Sequence, residues 1–157
     1  MDFSRLRGSE ILGALAGLLL VVSIFLEWFS LSDVPQRVQQ QDYICGTGNL
    51  SCSAWDTFPK MRILLLLAAS APLILAYLVV TDATLSWPAG EVTTIVGLIA
   101  ITLILYNGLV SKPGEFGISL SYGYPVALLA AGALTVAGGM RTLESGGGAG
   151  RKPPATF

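Results

Sequence analysis

Four long apolar runs constrain what this 157-residue chain can fold into. A helix needs roughly 20 mostly apolar residues to cross about 30 Å of hydrocarbon, and each run reaches that length once its uncharged or aromatic flanks are included. Only 12% of the residues are charged, which leaves too little polar surface to cover a water-exposed globule. The sequence therefore predicts an all-α fold, a four-transmembrane-helix bundle. The uncharged runs are Ile11–Leu26, Ile63–Val80, Val92–Val110 and Pro125–Met140.

The spans are expected to make up one membrane domain, followed by a short tail. We expect the spans at about residues 10–29, 61–81, 91–111 and 123–141, inside a domain that covers residues 1–144. Residues 145–157 are rich in glycine and proline and contain no apolar run. This composition predicts a disordered cytoplasmic tail.

The distribution of lysine and arginine predicts the orientation. An even number of spans places both termini on one side, and the two tails carry slightly more basic residues than the loops between spans. Under the positive-inside rule, we expect a multi-pass protein of the plasma membrane with both termini in the cytoplasm. The tails contain Arg5, Arg7, Arg141, Arg151 and Lys152, and the first and third loops contain Arg37, Lys60, Arg62 and Lys112.

Cys45 and Cys52, the two cysteines of the chain, both lie in the first loop. In the predicted orientation they face an oxidising compartment, where a disulfide persists. Gly46 and Gly48 between them allow a tight loop to close. We therefore predict a structural disulfide that closes the first extracytoplasmic loop and contributes roughly 2–3 kcal/mol. A redox-active pair and two free thiols remain alternatives, although the C-x-x-C spacing of many redox pairs is absent.

Small residues predict where the spans pack against other helices, and aromatic residues predict where they meet the membrane–water interface. Glycines let helices approach closely in lipid, so we expect the span glycines to pack against other helices of the bundle, with a dimer interface as the alternative for the first two. Tryptophans near span ends predict anchors at the membrane–water interface. The packing candidates are Gly13, Gly17, Gly132 and Gly139, and the anchors are Trp28, Trp55 and Trp87.

No ionisable residue that could carry chemistry inside the membrane lies in the middle of a predicted span. The chain has no histidine, and Glu27, Asp82, Glu91 and Glu115 all fall at or beyond span ends. An ionisable residue in mid-span would have indicated catalysis or ion coupling. We therefore expect no catalytic residue, cofactor or metal site. A net charge of −1 without a basic cluster predicts no nucleic-acid partner.

These observations favour a non-enzymatic accessory or scaffold subunit that binds a partner membrane protein through its spans or its first loop. The first alternative is a small oligomeric transporter or pore, because Thr94, Leu98, Thr102 and Tyr106 share one face of span 3. The second alternative is a membrane thiol oxidoreductase that uses the cysteine pair. The expected surroundings are the lipid bilayer, with a membrane-protein partner or further copies of the chain.

Three short motifs near span ends carry a family resemblance. Phe25–Phe29 (FLEWF), Ser53–Asp56 (SAWD) and Trp87–Gly90 (WPAG) occur in this order. The chain resembles a group of uncharacterised four-span membrane proteins of actinobacteria over most of its length. In that group a proline is expected where Glu27 stands here. The resemblance implies a four-helix membrane fold and implies no activity.

Overall fold

Four long helices dominate the computed structural model, which describes residues 8–31, 51–81, 89–111 and 118–146. A π-helical turn, Tyr106–Val110, continues the third of these helices, and a short helix precedes the second. The prediction of four helices long and apolar enough to cross a membrane is confirmed. The helices are α1 (Gly8–Phe25), α2 (Ala54–Thr57), α3 (Pro59–Val80), α4 (Ala89–Leu105) and α5 (Gly123–Gly146).

The long helices form a ring in which α1 packs against α3 and α5, while α4 packs against α5 and less extensively against α3. The start of α1 meets the end of α5, since the Ser9 hydroxyl donates a hydrogen bond to Glu144 Oε2 at 2.9 Å. We call this the tail end of the bundle and the opposite end the cap end.

Glycines bring α4 and α5 unusually close together. A Cβ at Gly97 would lie 2.8 Å from the backbone nitrogen of Thr135, and a Cβ at Gly138 would lie 2.5 Å from the backbone nitrogen of Thr94. Any larger side chain would force the two backbones apart. The α4–α5 contact is therefore close-packed at backbone level, as small residues permit in membrane helices.

A small antiparallel sheet covers the cap end, and the all-α prediction did not include it. Its strands are β1 (Glu27–Leu31), β2 (Ser51–Ser53) and β3 (Ile118–Leu120), in the order β2-β1-β3. The sheet therefore joins the segment after α1 to the segments before α2 and before α5.

The first helix ends at Phe25, whereas span 1 was expected to continue to about Phe29. In a longer helix, the carbonyl of Ser23 would accept a hydrogen bond from the backbone N–H of residue 27. Here that carbonyl accepts from the backbone N–H of Leu26 at 3.2 Å and from the indole N–H of Trp28 at 2.7 Å. The chain therefore leaves the helix and enters β1.

An irregularity in β1 turns two consecutive aromatic residues into the protein. Glu27 pairs with Ser53 and Phe29 pairs with Cys52, so Trp28 is an extra residue in β1. Such a bulge interrupts the alternation by which successive strand residues face opposite sides. Trp28 and Phe29 are both 0% exposed. They form the part of the core that connects the sheet to the helices.

Candidate functional site

The three-stranded sheet, which we call the cap, is joined to the bundle by a buried aromatic contact. The ring of Tyr124 meets Trp28 edge-on with centroids 5.9 Å apart. Gly108 of the π-helical turn lies against the same ring, because a Cβ there would be 2.7 Å from Tyr124 Cζ. Within the described ranges, the buried Tyr124 hydroxyl has no hydrogen-bond partner. Shape and apolar contact therefore hold the sheet on α4 and α5.

Hydroxyl groups hold the strands of the cap together. Ser51 donates a hydrogen bond from its hydroxyl to Glu27 Oε1 at 2.9 Å. The hydroxyl of Ser119 donates to the backbone carbonyl of Ser30 at 3.0 Å and lies 3.2 Å from the Ser30 hydroxyl. Glu27, the acid placed among apolar residues in the sequence, thus links β1 to β2.

Cys52 is enclosed in the core of the cap. It lies opposite Phe29 in the sheet and is 2% exposed. No cysteine in the described part of the chain is a free thiol. Cys45 lies outside the described residues. A sulfur enclosed in this way is out of reach of thiols in solution or quinones in the membrane, which need access to react.

An arginine is held on an aromatic stack on the α1–α3 side of the cap end. The guanidinium carbon of Arg62 lies 4.6 Å from the ring centroid of Trp55, and its Nη1 donates to the Trp55 carbonyl at 3.3 Å. The Phe25 ring stacks on Trp55 with centroids 5.0 Å apart. We call these three side chains the Arg62 stack. Lys60, in the same turn of α3, is exposed.

On the α4–α5 side of the cap end, large apolar and aromatic side chains are exposed. They belong to the π-helical turn, to β3 and to the residue just before α5. We call this set the apolar rim. It consists of Tyr106, Leu109, Val110, Leu120 and Tyr122.

A polar crevice lies at the tail end, where all four long helices meet. Glu10 of α1 forms an ion pair with Arg141 of α5 at 3.4 Å, and the buried Ser9 and Thr93 line the same crevice. The crevice has a volume of about 10 Å³, which is room for one water molecule. Its charged groups join α1 to α5, and the space is too small for an organic ligand.

The ion pair in this crevice was not among the sequence predictions, although the sequence contains a signal for it. Glu10 immediately precedes the first apolar run, and Arg141 immediately follows the last one. In a bundle with an even number of spans, these two opposite charges must lie on the same side. Their pairing could have been proposed from that placement.

The predicted packing glycines divide into two pairs. A Cβ at Gly17 would lie 2.7 Å from the Ala69 carbonyl oxygen, and a Cβ at Gly13 would lie 3.4 Å from Pro72 Cβ, so both glycines face α3. Gly132 and Gly139 instead have no neighbouring atom within 4 Å of such a Cβ. They face outward, because other small residues of α5 occupy its inner face. Those residues are Ala127, Ala130, Ala131, Ala137 and Gly138.

The predicted tryptophan anchors lie in three different settings. Trp28 is fully enclosed by protein, so it packs in the core instead of reaching lipid headgroups as expected. Trp55 is half-buried in the Arg62 stack. Trp87 lies outside the described residues, as does the predicted tail from residue 147 onward.

No protein-family model, curated protein or solved structure matches the chain. Among the described residues, no group of three or more His, Cys, Asp or Glu side chains is placed to hold a metal ion.

Proposed function

We propose that this protein is a non-enzymatic, multi-pass membrane protein that acts as an accessory or scaffold subunit. Its partner is another membrane protein, which binds at the cap end on the α4–α5 side. The tails lie in the cytoplasm and the cap lies outside the cell, because the tails carry the small excess of basic residues.

The observation that carries this proposal is the apolar rim. Tyr106, Leu109 and Val110 lie in the last turn of the third candidate span, and Leu120 and Tyr122 precede the fourth, so the rim lies where the apolar helices end. Exposed apolar side chains that extend past the end of a span favour protein–protein contact. Tyrosine is enriched in such interfaces, because it combines a large apolar area with a polar tip.

The packing beneath the rim supports the same proposal. Trp28, Tyr124 and Gly108 connect β1, α5 and the π-helical turn through buried contacts. A surface built on such contacts is already ordered before a partner arrives. Binding then costs little conformational entropy, which is an advantage for a scaffold.

A pore through a single bundle is disfavoured by the way its hydroxyl groups are used. Thr102 donates to the Leu98 carbonyl, and Thr135 donates to the Ala131 carbonyl, both at 2.9 Å. These hydroxyls satisfy their own helix backbones, and the contact of α4 with α5 at Gly97 leaves no room for a path between them. An oligomeric pore would need the outer face of α4 to line the path.

We further infer that Cys52 is joined to Cys45 in a structural disulfide that closes the first loop. Cys52 is not a free thiol, and Cys45 is the other cysteine of the chain. The burial of Cys52 supports a structural role over the redox role of a thiol oxidoreductase.

The orientation is tested by two engineered cysteines at exposed positions of opposite ends. In intact cells, a membrane-impermeant maleimide should label Ser111→Cys at the cap end and should not label Gly8→Cys at the tail end. Permeabilised cells should show labelling of both variants. Labelling of Gly8→Cys from outside would overturn the proposed orientation.

Partner binding is tested by photocrosslinking from the rim. A photoreactive phenylalanine analogue in place of Tyr122, which is 56% exposed, should crosslink to one membrane protein in intact cells. Tyr77 is the matched control, because it is 60% exposed and lies near the tail end of α3. Tyr122→Ser should abolish stoichiometric co-purification of that protein, whereas Tyr77→Ser should preserve it.

Two results would contradict the scaffold proposal. Crosslinks from residue 122 that reach lipid alone would show that the rim is a membrane anchor. A homo-oligomer that transports a solute after reconstitution without any second protein would favour the transporter alternative.

A further inference from the structure

Two positively charged side chains lie at the start of α3. Lys60 and Arg62 are in its first turn, and among the described residues neither forms an ion pair with an acidic side chain. The nearby carboxylate of Asp56 is instead held by the Ser53 hydroxyl at 2.7 Å. The N-terminal end of α3 adds the positive end of its helix dipole.

The guanidinium of Arg62 is already positioned for an anion. Its contact with the Trp55 ring at 4.6 Å and its single hydrogen bond to the Trp55 carbonyl fix its plane. Among the described residues, no carboxylate pairs with its other N–H groups, which form the planar fork that matches phosphate oxygens. An arginine held in this way loses little side-chain entropy when it binds.

An apolar stripe on α1 continues from the Arg62 stack toward the middle of the bundle. Leu15, Leu18, Val22 and Phe25 are exposed at helical spacing, and Phe25 stacks on Trp55. Leu15 and Phe25 are ten residues apart, which is about 15 Å along a helix. That distance is about half the thickness of the hydrocarbon core, the depth of one leaflet.

We propose that the two cations and the stripe bind one anionic phospholipid. Its phosphate binds the Arg62 guanidinium, Lys60 in the same helical turn adds a second positive charge, and one acyl chain lies along α1 from Phe25 to Leu15. An anionic headgroup is favoured over a zwitterionic one, because the ammonium group of the latter would be repelled by Lys60 and Arg62. This site lies on the α1–α3 side, away from the apolar rim, and does not depend on a protein partner.

Lipid titration of the purified full chain in neutral detergent tests the proposal. Native mass spectrometry should show tighter binding of phosphatidylglycerol than of phosphatidylcholine. The double variant Lys60→Gln/Arg62→Gln should weaken phosphatidylglycerol binding roughly 25-fold, from about 1 kcal/mol per cation near an anionic headgroup. Lys60→Gln alone, at an exposed position that does not threaten folding, should weaken it roughly 5-fold.

The acyl-chain part of the site has a matched pair of variants. Val22 on the stripe is 53% exposed, and Val136 on the outer face of α5 is 55% exposed. Val22→Trp should occupy the path of the chain and weaken phosphatidylglycerol binding several-fold, whereas Val136→Trp should leave it unchanged.

Three outcomes would overturn the proposal. Equal binding of the two lipids by the parent protein would remove the charge selectivity. Equal phosphatidylglycerol binding by the double variant and the parent would remove the cations from the site. Binding of glycerol phosphate at the same concentrations would show a simple phosphate site without a role for the acyl chain.

Discussion

Replacing Gly17 with alanine tests the contact between α1 and α3 most directly. The new Cβ would lie 2.7 Å from the carbonyl oxygen of Ala69 and 3.0 Å from Cγ of Pro72. Both distances are shorter than ordinary contacts between such atoms. The first neighbour is backbone and the second belongs to a rigid ring, so neither can rotate away. The two helices must therefore separate locally.

The expected change in the free energy of unfolding for Gly17→Ala follows from two opposing effects. Alanine is favoured over glycine in a helix interior by about 1 kcal/mol. Forcing an extra carbon into a packed contact costs about 1–3 kcal/mol. We expect Gly17→Ala to lower the free energy of unfolding by up to about 2 kcal/mol. Gly132→Ala, at a position without neighbours within 4 Å, should instead raise it by up to about 1 kcal/mol.

Equilibrium unfolding in one detergent, at one protein concentration, measures all variants. Gly13→Ala belongs in the same series, because its Cβ would make an ordinary contact at 3.4 Å with Pro72 and should be tolerated. The expected order of stability is Gly17→Ala below the parent, and Gly132→Ala at or above it. If Gly17→Ala is as stable as Gly132→Ala, the close α1–α3 contact described here is wrong.

The remaining predictions concern polar groups and the cysteines. Tyr124→Phe should leave the free energy of unfolding in chemical denaturation unchanged or raise it by up to about 1 kcal/mol, because the hydroxyl has no partner among the described residues. A clear loss of stability would instead reveal a hydrogen-bond acceptor for this hydroxyl. Glu10→Gln and Arg141→Gln should each cost about 2–3 kcal/mol, less than for a fully buried pair because Arg141 is partly exposed. The double variant should lose less than the two single losses combined, and strict additivity would argue against the ion pair. Peptide mass spectrometry without reduction should find Cys45 linked to Cys52, and two free thiols in protein from an oxidising compartment would contradict the bond.

The spacing of small residues predicts the buried face of α1 but does not predict that of α5. In α1, glycine and alanine within the apolar run are confined to residues 13–17, so the spacing of Gly13 and Gly17 is enough to suggest a contact face. In α5, small residues occur on almost every side, and Gly132 and Gly139 cannot be told from Ala131 or Gly138 by pattern alone. Which side is buried depends on where α1 and α4 lie, and the sequence of α5 does not contain that information.

The four membrane-length helices were determined by the sequence itself. A chain in hydrocarbon must satisfy its backbone hydrogen bonds within each helix, so run length and the absence of charge decide the outcome locally. The absence of histidine and of charged residues within the apolar runs was likewise readable without any structure.

Only the tertiary structure decided the cap and the side chains that it exposes. The strands of the sheet are three to five residues long, and Phe29 pairs with Cys52 and Leu120, which are distant in the chain. Such short segments carry no pattern of their own, because their stability comes from pairing across the fold. The same pairing, with the bulge at Trp28, turned a predicted lipid anchor into a core residue. It also joined the segments that carry Tyr122, next to α5, and the Arg62 stack, on α1 and α3, at one end of the bundle.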